Sequence, residues 1–301
     1  MFAFILLLLA VLLLIYIIPL RILVLHPFKT VRYFVQDTYH YFRCKKWRNM
    51  KYGQLLCYFA DFGRGKTLSM AHFAVLLFQK YNNKKVWCPE RKKWVTQKVH
   101  ILSNFTLKTI PYEPLTSLSQ FVNCAYKNKR IDNENDTLTV VLCMIDEASA
   151  QLNSRSFKTN IDADFLNTLI TTRHYRMSLY YSSQAFSLVD ALLRTVTQKA
   201  VMCDKLWRVV TLRYFDAHEI EYASNPMLVK PLRKTGFFVS DKDYNAYDTH
   251  ATVDKLKKAV DKKDMMSAEE IMTMRGMINP NNDTISTPSK RFFRLSKKKN
   301  K

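Results

Sequence analysis

The stretch ADFGRGKT, residues 60–67, carries most of a phosphate-binding signature. That signature is G-x-x-x-x-G-K-[ST], and Gly65, Lys66 and Thr67 satisfy its second half. Ala60 stands where the first glycine is expected, and alanine, the smallest substitute, fits wherever φ is negative. The spacing therefore predicts a nucleotide site, with a chance match as the alternative.

Each residue type in this loop has its own task in nucleotide binding. Glycines let the backbone turn its N–H groups toward an anion at the start of a helix. The lysine reaches the β- and γ-phosphates of ATP, and the threonine hydroxyl holds Mg²⁺. We therefore predict that the ATP-binding residues are Gly63, Arg64, Gly65, Lys66, Thr67 and Leu68.

Two adjacent carboxylates, Asp146 and Glu147, follow the apolar run 140–145. Such a run is typical of a strand buried on both faces of a parallel sheet, and open α/β sheets bind ligands at the carboxyl ends of their strands. We predict that Asp146 joins Thr67 in holding Mg²⁺ and that Glu147 is the base that orients and polarises water. The alternative is that both acids only cap the next helix.

A polar residue ends another strand-like stretch, MSLYYSSQ at 177–184. If this strand lies between the two that carry the phosphate loop and the acidic pair, its last residue can sense the γ-phosphate. We therefore predict a catalytic role for Gln184, with a glutamine that caps a helix as the alternative.

Arginines lie at the end of the helical stretch 160–174 and beyond it. An arginine from one subunit can reach the γ-phosphate bound by its neighbour, as arginine fingers do. Arg173 is the predicted catalytic arginine, and Arg176 and Arg194 are further candidates. The alternative is a cation that satisfies the carboxyl end of a helix.

The flanking sequence supplies the elements that must position these residues. Residues 52–60 are apolar and aromatic, as in a strand, and residues 66–81 lack glycine and proline, as in a buried helix. Residues 83–107 predict a basic hairpin that turns near Pro89, and residues 128–137 a polar loop. The pattern predicts an α/β fold, a P-loop NTPase domain with a mainly parallel sheet over residues 52–250.

The first twenty residues carry no charged side chain, and about 20 apolar residues span a bilayer as a helix. Up to Lys51, the following flank contains eight basic residues and the single acid Asp37. No Lys or Arg precedes the apolar run and no small-residue cleavage site follows it, so we expect an uncleaved transmembrane helix over residues 1–25. The basic flank sets its orientation, because basic residues stay in the cytoplasm. The chain would be single-pass, with its N-terminus outside and its ATPase domain cytoplasmic. A buried core helix is the alternative.

The chain has 47 Lys and Arg residues against 25 Asp and Glu residues, a formal charge of +22. Such a charge favours polyanions, meaning nucleic acid or acidic lipid. Residues 26–51 interleave bases with aromatics, which suits membrane lipids, with stacking on single-stranded nucleic acid as the alternative. Residues 251–278 predict short helices, and 279–301 a disordered basic tail. Six scattered cysteines without a C-x-x-C pair indicate reduced thiols.

Several of these stretches together resemble the Zot (zonular occludens toxin-like) family of filamentous-phage assembly ATPases. They are Lys66 with Thr67, IDEA at 145–148, and TTRHYRMSLYYSSQAFSLVDALLR at 171–194. SDKDYNAYDT at 240–249 resembles the segment that closes that family's ATPase domain. The resemblance covers about residues 52–250. The chain departs from it at Ala60 and in placing the membrane helix before the ATPase domain.

The resemblance implies a membrane-anchored ATPase that drives phage DNA export and virion assembly at the inner (host) membrane. Its implied partners are single-stranded or other DNA without sequence preference, phage coat or assembly proteins, and further copies of itself in a homo-oligomeric ring. A conjugation- or chromosome-type DNA translocase is one alternative, and a catalytically inactive membrane scaffold is another. Lys66, Thr67, Asp146 and Glu147 are all present, which favours the enzyme.

Overall fold

The computed structural model describes residues 17–151, 163–225 and 228–247. Nine strands in this part form one sheet: β1 (Leu55–Phe59), β2 (Lys84–Cys88), β3 (Lys93–Ser103), β4 (Glu113–Pro114), β5 (Thr137–Ile145), β6 (Met177–Ser183), β7 (Lys199–Leu206), β8 (Val209–Asp216) and β9 (Arg233–Phe238). Their order is β2-β3-β5-β6-β1-β7-β8-β9, and β4 pairs with β3 at the side.

The described part also contains nine helices. They are α1 (Ile18–Leu25), α2 (Pro27–Arg43), α3 (Lys66–Tyr81), α4 (Leu118–Glu134), α5 (Ala148–Gln151), α6 (Ala163–Ile170), α7 (Ala191–Val196), α8 (Ala217–Tyr222) and α9 (Asp241–Tyr244). Helices α1 and α2 bury none of their residues. Short 3₁₀ turns occupy Lys46–Arg48 and Phe186–Leu188.

The five central strands, β3, β5, β6, β1 and β7, run parallel to one another. Strand β2 at one end and strands β8 and β9 at the other are antiparallel additions. All five central strands therefore end at the same edge of the sheet, and β6 lies between β1 and β5, as the sequence predicted. The α/β fold with a mainly parallel sheet is confirmed.

Alternate residues of β1 belong to two apolar cores, one on each face of the sheet. Leu56 and Tyr58 pack in the core that includes Leu68 of α3. Cys57 packs on the other face, in the core that includes Phe121 of α4. Burial on both faces explains why β1 and β5 read as continuous apolar runs rather than alternating ones.

The predicted polar loop at 128–137 is wrong, because α4 continues through Glu134. The Ser117 hydroxyl caps the start of α4 by accepting a bond from the Gln120 N–H at 3.3 Å. No glycine or proline interrupts the helix. Within its polar stretch, Asp132 is buried and accepts hydrogen bonds from Thr137 and Thr139. Polarity here marks the outer face of a helix and a buried carboxylate, not a loop.

The predicted basic hairpin is confirmed, since β2 and β3 pair antiparallel with Trp87 opposite Trp94. The six cysteines are free thiols and five of them are buried. Burial raises the pKa of Cys124 and of Cys203 to about 12, so both thiols stay protonated at neutral pH.

Two predicted segments fall wholly or largely outside the described residues. Residues 1–16, most of the predicted anchor, are among them, and so are the predicted helices at 251–278 and the tail at 279–301. Within the described ranges, no helix combines the length and the apolar character needed to cross a membrane.

Candidate nucleotide-binding site

The phosphate-binding loop joins β1 to α3 and has the backbone that its sequence predicted. Gly63 and Gly65 adopt left-handed φ values of 72° and 83°, which glycine reaches without steric penalty. Gly65 is the N-cap of α3, so the first N–H groups of that helix have no partner within the helix and face the loop. Ala60 is not among the residues with positive φ, so alanine fits where the signature has glycine.

Lys66, the first residue of α3, folds back across its own loop. Its Nζ donates hydrogen bonds to the carbonyl oxygens of Ala60, at 2.8 Å, and Asp61, at 3.0 Å. The same ammonium group lies 5.7 Å from the centre of the Phe62 ring. These contacts hold the ammonium group beside the loop backbone, at the place where the loop would bind a phosphate.

Asp146 lies directly after β5 and is held from several sides. Its Oδ2 accepts a 2.8 Å hydrogen bond from the Thr67 hydroxyl, and its Oδ1 accepts a bond from the Ser182 hydroxyl. The Asn104 side chain donates to its carbonyl oxygen at 3.0 Å and accepts from its N–H at 2.8 Å. The carboxylate therefore faces Thr67 as the predicted metal site requires.

The oxygen donors at this point fit Mg²⁺. The ion is usually held by one or two protein ligands together with substrate phosphates and water, rather than by an all-protein cage. Thr67 and Asp146 supply a hydroxyl and a carboxylate in contact beside the phosphate loop. Within the described ranges, no group of three or more His, Cys, Asp or Glu residues could hold a metal ion.

Glu147 has a left-handed backbone, with φ at 53°. A residue other than glycine in this region carries backbone strain of about 1 kcal/mol, and such strain concentrates at functional sites. The Glu147 N–H donates a 2.9 Å hydrogen bond to the Ser182 hydroxyl, which fixes the turn. The turn leaves the Glu147 side chain exposed beside the buried Asp146.

A cavity of about 170 Å³ gathers most of the predicted site residues. Its lining comprises Phe62, Gly63, Lys66, Thr67, Asp146, Glu147, Ser149, Ser182, Ser183 and Gln184. Strands β1, β5 and β6 end around it, because their parallel arrangement brings their carboxyl ends to one edge. The sequence thus placed Gln184 correctly at this edge; its role as a γ-phosphate sensor stays a prediction.

Four predicted residues do not line this cavity, and Gly65, the N-cap of α3, is one of them. Arg64 pairs with Asp204 at 2.8 Å on the exposed side of the loop. Leu68 is 2% exposed and buried in the core, so only its backbone N–H can serve a ligand. Arg173 lies at the amino end of β1, where a Cβ built on Gly53 would come within 2.9 Å of the Arg173 Cβ. That edge of the sheet is opposite the cavity.

The two other candidate arginines form ion pairs with acidic residues of their own chain. The Arg176 guanidinium is buried and pairs with Glu90 at 2.6 Å and Asp132 at 3.5 Å. Arg194 pairs with Glu221 at 3.1 Å and donates to two carbonyl oxygens. Arg173 is the exposed member of the three, and its role toward a neighbouring subunit stays a prediction.

Sequence reasoning missed Ser182 and Asn104, which fix the two acidic residues. Asn104 directly follows β3, and Ser182 is the second-last residue of β6. Both are therefore polar residues at the carboxyl end of a parallel strand, which is the signal that could have found them.

The segment 240–247 packs against α3, the helix that follows the phosphate loop. His72 of α3 pairs with Asp243 at 2.6 Å and stacks on the Phe237 ring, with centroids 3.9 Å apart. Tyr247 is buried, and burial together with the negative charge of Asp146 raises the pKa of Tyr247 to about 12. The described part of the predicted segment 240–249, residues 240–247, thus contacts the helix that follows the phosphate loop.

A phosphate-binding loop between β1 and α3, an acidic pair after β5 and a parallel strand between β1 and β5 define the fold of a P-loop NTPase. No profile of a known protein family matches the sequence, and no curated protein matches it either. Among solved structures, the chain is similar to the N-terminal domain of zonular occludens toxin from Neisseria meningitidis. That match has 18% identity and a TM-score of 0.43, and it covers 66% of this chain and 100% of the other.

Two further solved structures resemble the chain. One is the genome-packaging NTPase B204 of Sulfolobus turreted icosahedral virus 2 in complex with ATPγS, with 11% identity, a TM-score of 0.34 and coverage of 56% of this chain and 95% of the other. The other is EssC (ATPases 2 and 3) from Geobacillus thermodenitrificans, with 12% identity, a TM-score of 0.36 and coverage of 75% and 45%.

Proposed function

We propose that the chain is an ATPase whose site is assembled from the phosphate loop, β5 and β6. The observation that carries the proposal is the contact between Thr67 and Asp146, two residues 79 positions apart that the sequence assigned to one metal site. A degenerate loop that matched by chance would have no reason to place its threonine hydroxyl on a buried carboxylate. The same contact argues against a catalytically inactive scaffold.

In this proposal each residue has a defined task. The N–H groups at the start of α3 and the Lys66 ammonium bind the phosphates. Thr67 and Asp146 hold Mg²⁺, which when bound neutralises charge on the phosphate oxygens. Glu147 orients a water molecule for in-line attack on the γ-phosphorus and accepts its proton. Gln184, at the end of the strand between β1 and β5, contacts the γ-phosphate.

Substitution of Glu147 tests this assignment. Glu147→Gln removes the base and leaves the phosphate loop intact, so nucleotide should still bind while turnover falls by a factor of about 10² to 10⁴. Lys66→Ala should instead weaken binding itself. The measurements are ATP affinity by calorimetry and phosphate release by the full-length chain. If Glu147→Gln hydrolyses ATP as fast as the parent chain, Glu147 is not the base.

We further propose that ATP hydrolysis drives DNA export and virion assembly. The support is the formal charge of +22 and the resemblance to the Zot family in residues 52–250. The proposed partners are DNA bound without sequence preference, phage coat or assembly proteins, and other copies of the chain in a ring. The ring is what would bring Arg173 of one copy to the γ-phosphate of the next.

Membrane attachment is the last part of the proposal. The apolar residues 1–20 support an anchor, and α2 supports a second contact with acidic lipid. No residue of α2 is buried, and Phe28, Phe34 and Phe42 are 89%, 71% and 63% exposed. Aromatic rings of this kind partition into the membrane interface while neighbouring cations meet head groups. Protease added to intact cells should spare residues 52–250; cleavage there from outside would overturn this orientation.

A further inference from the structure

A second cavity, of about 800 Å³, adjoins the nucleotide site. It lies on the face of the sheet opposite α3, because Phe215 in its lining belongs to the core that includes Phe121 of α4. Ala60 and Asp61 of the phosphate loop form part of its wall, and Gln184 lines both this cavity and the nucleotide cavity. An occupant of the second cavity therefore lies beside the residue that we propose contacts the γ-phosphate.

Much of the lining of this cavity is apolar. The apolar side chains come from five separate segments of the chain and include Phe59, Phe186, Met202, Ile220 and Val229. The volume is within the range of pockets that hold a small ligand or a few side chains, about 300–1,000 Å³. Because apolar groups bind such a surface by leaving water, the cavity suits a ligand with a substantial apolar part.

Two cations lie side by side in the same lining. Arg213 of β8 is directly opposite Lys234 of β9 in the antiparallel pair, so the two side chains extend from the same face of the sheet. Among the described residues, no acid pairs with either of them. Like charges directly opposite each other destabilise a sheet. An anionic group bound between the two side chains would remove this repulsion.

The acids nearest to these cations are mostly engaged by other cations. Asp204, on the same face of β7, pairs with Arg64 at 2.8 Å. Glu221 of α8 lines the cavity but pairs with Arg194, which lines it too, at 3.1 Å. The remaining acid of the lining is Asp61, in the phosphate loop. The cavity thus combines apolar surface, an uncompensated pair of cations on β8 and β9, and one carboxylate in the phosphate loop.

We infer that this cavity binds an apolar peptide segment of a partner protein, whose carboxylate lies between Arg213 and Lys234. The apolar surface takes the side chains of the peptide, and the two cations form charge-assisted hydrogen bonds with the carboxylate. Asp61 favours a peptide, because a carboxylate accepts from backbone N–H groups. It disfavours a nucleic-acid strand, which carries a negative charge at every phosphate.

This inference goes beyond the proposed ATPase function, and the binding site stands without it. Only the consequence of binding rests on that function. Because Gln184 lines both cavities, a bound peptide contacts the end of β6 and changes the rate of ATP hydrolysis.

Synthetic peptides test the site directly. The probes are a panel of acetylated pentapeptides rich in leucine, methionine and phenylalanine, measured against the full-length chain by calorimetry. Each sequence is made as the free acid, as the amide, and as the amide with one internal glutamate, which separates a terminal from a side-chain carboxylate. Carboxylate peptides should bind, and the amides without glutamate should bind about 10- to 100-fold more weakly, as expected when charge-assisted hydrogen bonds are lost.

Arg213→Gln combined with Lys234→Gln should weaken binding of the carboxylate peptides by a similar factor and leave binding of the uncharged amides unchanged. Because the like-charge pair is removed, the thermal unfolding midpoint should stay level or rise, which separates lost binding from lost folding. Basal ATP hydrolysis should also be unchanged. The matched control, Lys199→Gln with Arg233→Gln, removes the same charge from exposed positions outside the cavity and should keep peptide binding.

The inference is overturned if no carboxylate peptide of the panel binds, or if acids and amides bind equally. It is also overturned if the double variant binds the peptides as the parent chain does. A thymidine oligonucleotide that displaces the peptide from the parent chain, and binds the double variant more weakly than the control, would assign the cavity to nucleic acid instead. Peptide binding without any change in hydrolysis overturns only the link through Gln184. Peptide binding by a chain that does not hydrolyse ATP would sink the ATPase proposal and leave the peptide site standing.

Discussion

The Thr67 hydroxyl donates a 2.8 Å hydrogen bond to the Asp146 carboxylate, although 79 positions separate the two residues in sequence. They reach each other because α3 begins at the end of β1 and Asp146 follows β5, with only β6 between these strands. Ser182 of β6 donates to the other oxygen of the same carboxylate. The carboxylate is therefore oriented before any ligand arrives, which is how a metal site gains affinity without reorganisation.

Ser182 should matter for turnover more than for binding. Its hydroxyl donates to Asp146 and accepts from the Glu147 N–H, so Ser182→Ala frees both acidic residues at once. We expect kcat to fall about 10- to 100-fold, the range seen when a partner of a metal-binding group is lost, with a small change in KM. Steady-state ATP hydrolysis measures both constants.

Ser178→Ala is the matched control for this prediction. Ser178 is equally buried on the same strand, and its hydroxyl accepts from the Gln54 N–H at the far end of β6. This variant should keep its kcat. A Ser182→Ala variant that raises KM while leaving kcat intact would show that Ser182 does not position the catalytic acids.

Substitution of Arg176 should destabilise the fold, whereas substitution of Arg173 should leave its stability nearly unchanged. Arg176→Ala leaves the buried Asp132 without its ion pair, so the free energy of unfolding should fall by about 2–4 kcal/mol. Arg173 is exposed, and Arg173→Ala keeps the Cβ that packs on Gly53, so stability should change by less than about 0.5 kcal/mol. Denaturant titration of the two variants measures the difference.

The role of Arg173 in a neighbouring subunit has its own test. Arg173→Ala and Glu147→Gln should each be inactive, but mixed assemblies contain some interfaces with both native residues. Hydrolysis should therefore recover when the two variants are mixed. If the mixture stays inactive although the subunits exchange, or if Arg173→Ala alone hydrolyses ATP normally, the arginine finger lies elsewhere.

Local sequence patterns predicted the helix and the strand that carry the site, but not the side chains that hydrogen-bond to Asp146. The helix expected over residues 66–81 is α3 as observed, and the apolar run 140–145 lies in the buried strand β5, because both patterns depend only on near neighbours in sequence. The sequence did not identify Asn104 and Ser182, because their contacts with Asp146 exist only once β3, β5 and β6 are ordered in the sheet.

The hydrogen bonds to the Asp243 carboxylate predict a stability that depends on pH. Burial alone raises the pKa of Asp243, but hydrogen bonds from Ser240 and His72 outweigh it and lower that pKa below its ordinary value of 3.8. A lowered folded-state pKa means that the carboxylate stabilises the fold above pH 3.8 and loses this effect as the pH falls through the lowered value.

Asp243→Asn should therefore be less stable than the parent chain by about 1 kcal/mol at neutral pH, because it also removes the side chain that completes the cap of α9. The difference should shrink as the pH falls below 3.8. Thermal unfolding across pH measures it, with Glu219→Gln, an exposed first-turn acid of α8, as the control. A difference that is constant at every pH would assign the effect to packing instead.

The basic hairpin of β2 and β3 should bind DNA through phosphates. Its exposed cations are Lys84, Lys85, Lys92, Lys93 and Lys98, and Lys93 pairs with Asp136. Trp94 is 44% exposed beside them and offers a face for stacking. Phosphate contacts position a protein without reading sequence, so binding should tolerate any base composition. It should weaken with salt, with a log–log slope of roughly −0.7 for each contact on single strands.

Changing Lys84, Lys85 and Lys92 together to glutamine should weaken binding of single-stranded DNA and make the salt slope shallower by about two, at salt near 50 mM where phosphate contacts are strong. The control changes three exposed lysines elsewhere, Lys199, Lys234 and Lys242, and removes the same charge. Equal weakening in both variants would show a diffuse effect of net charge. If the full-length chain binds neither single- nor double-stranded DNA, the excess charge serves the membrane or a protein partner, and the proposed role in DNA export loses its main physical support.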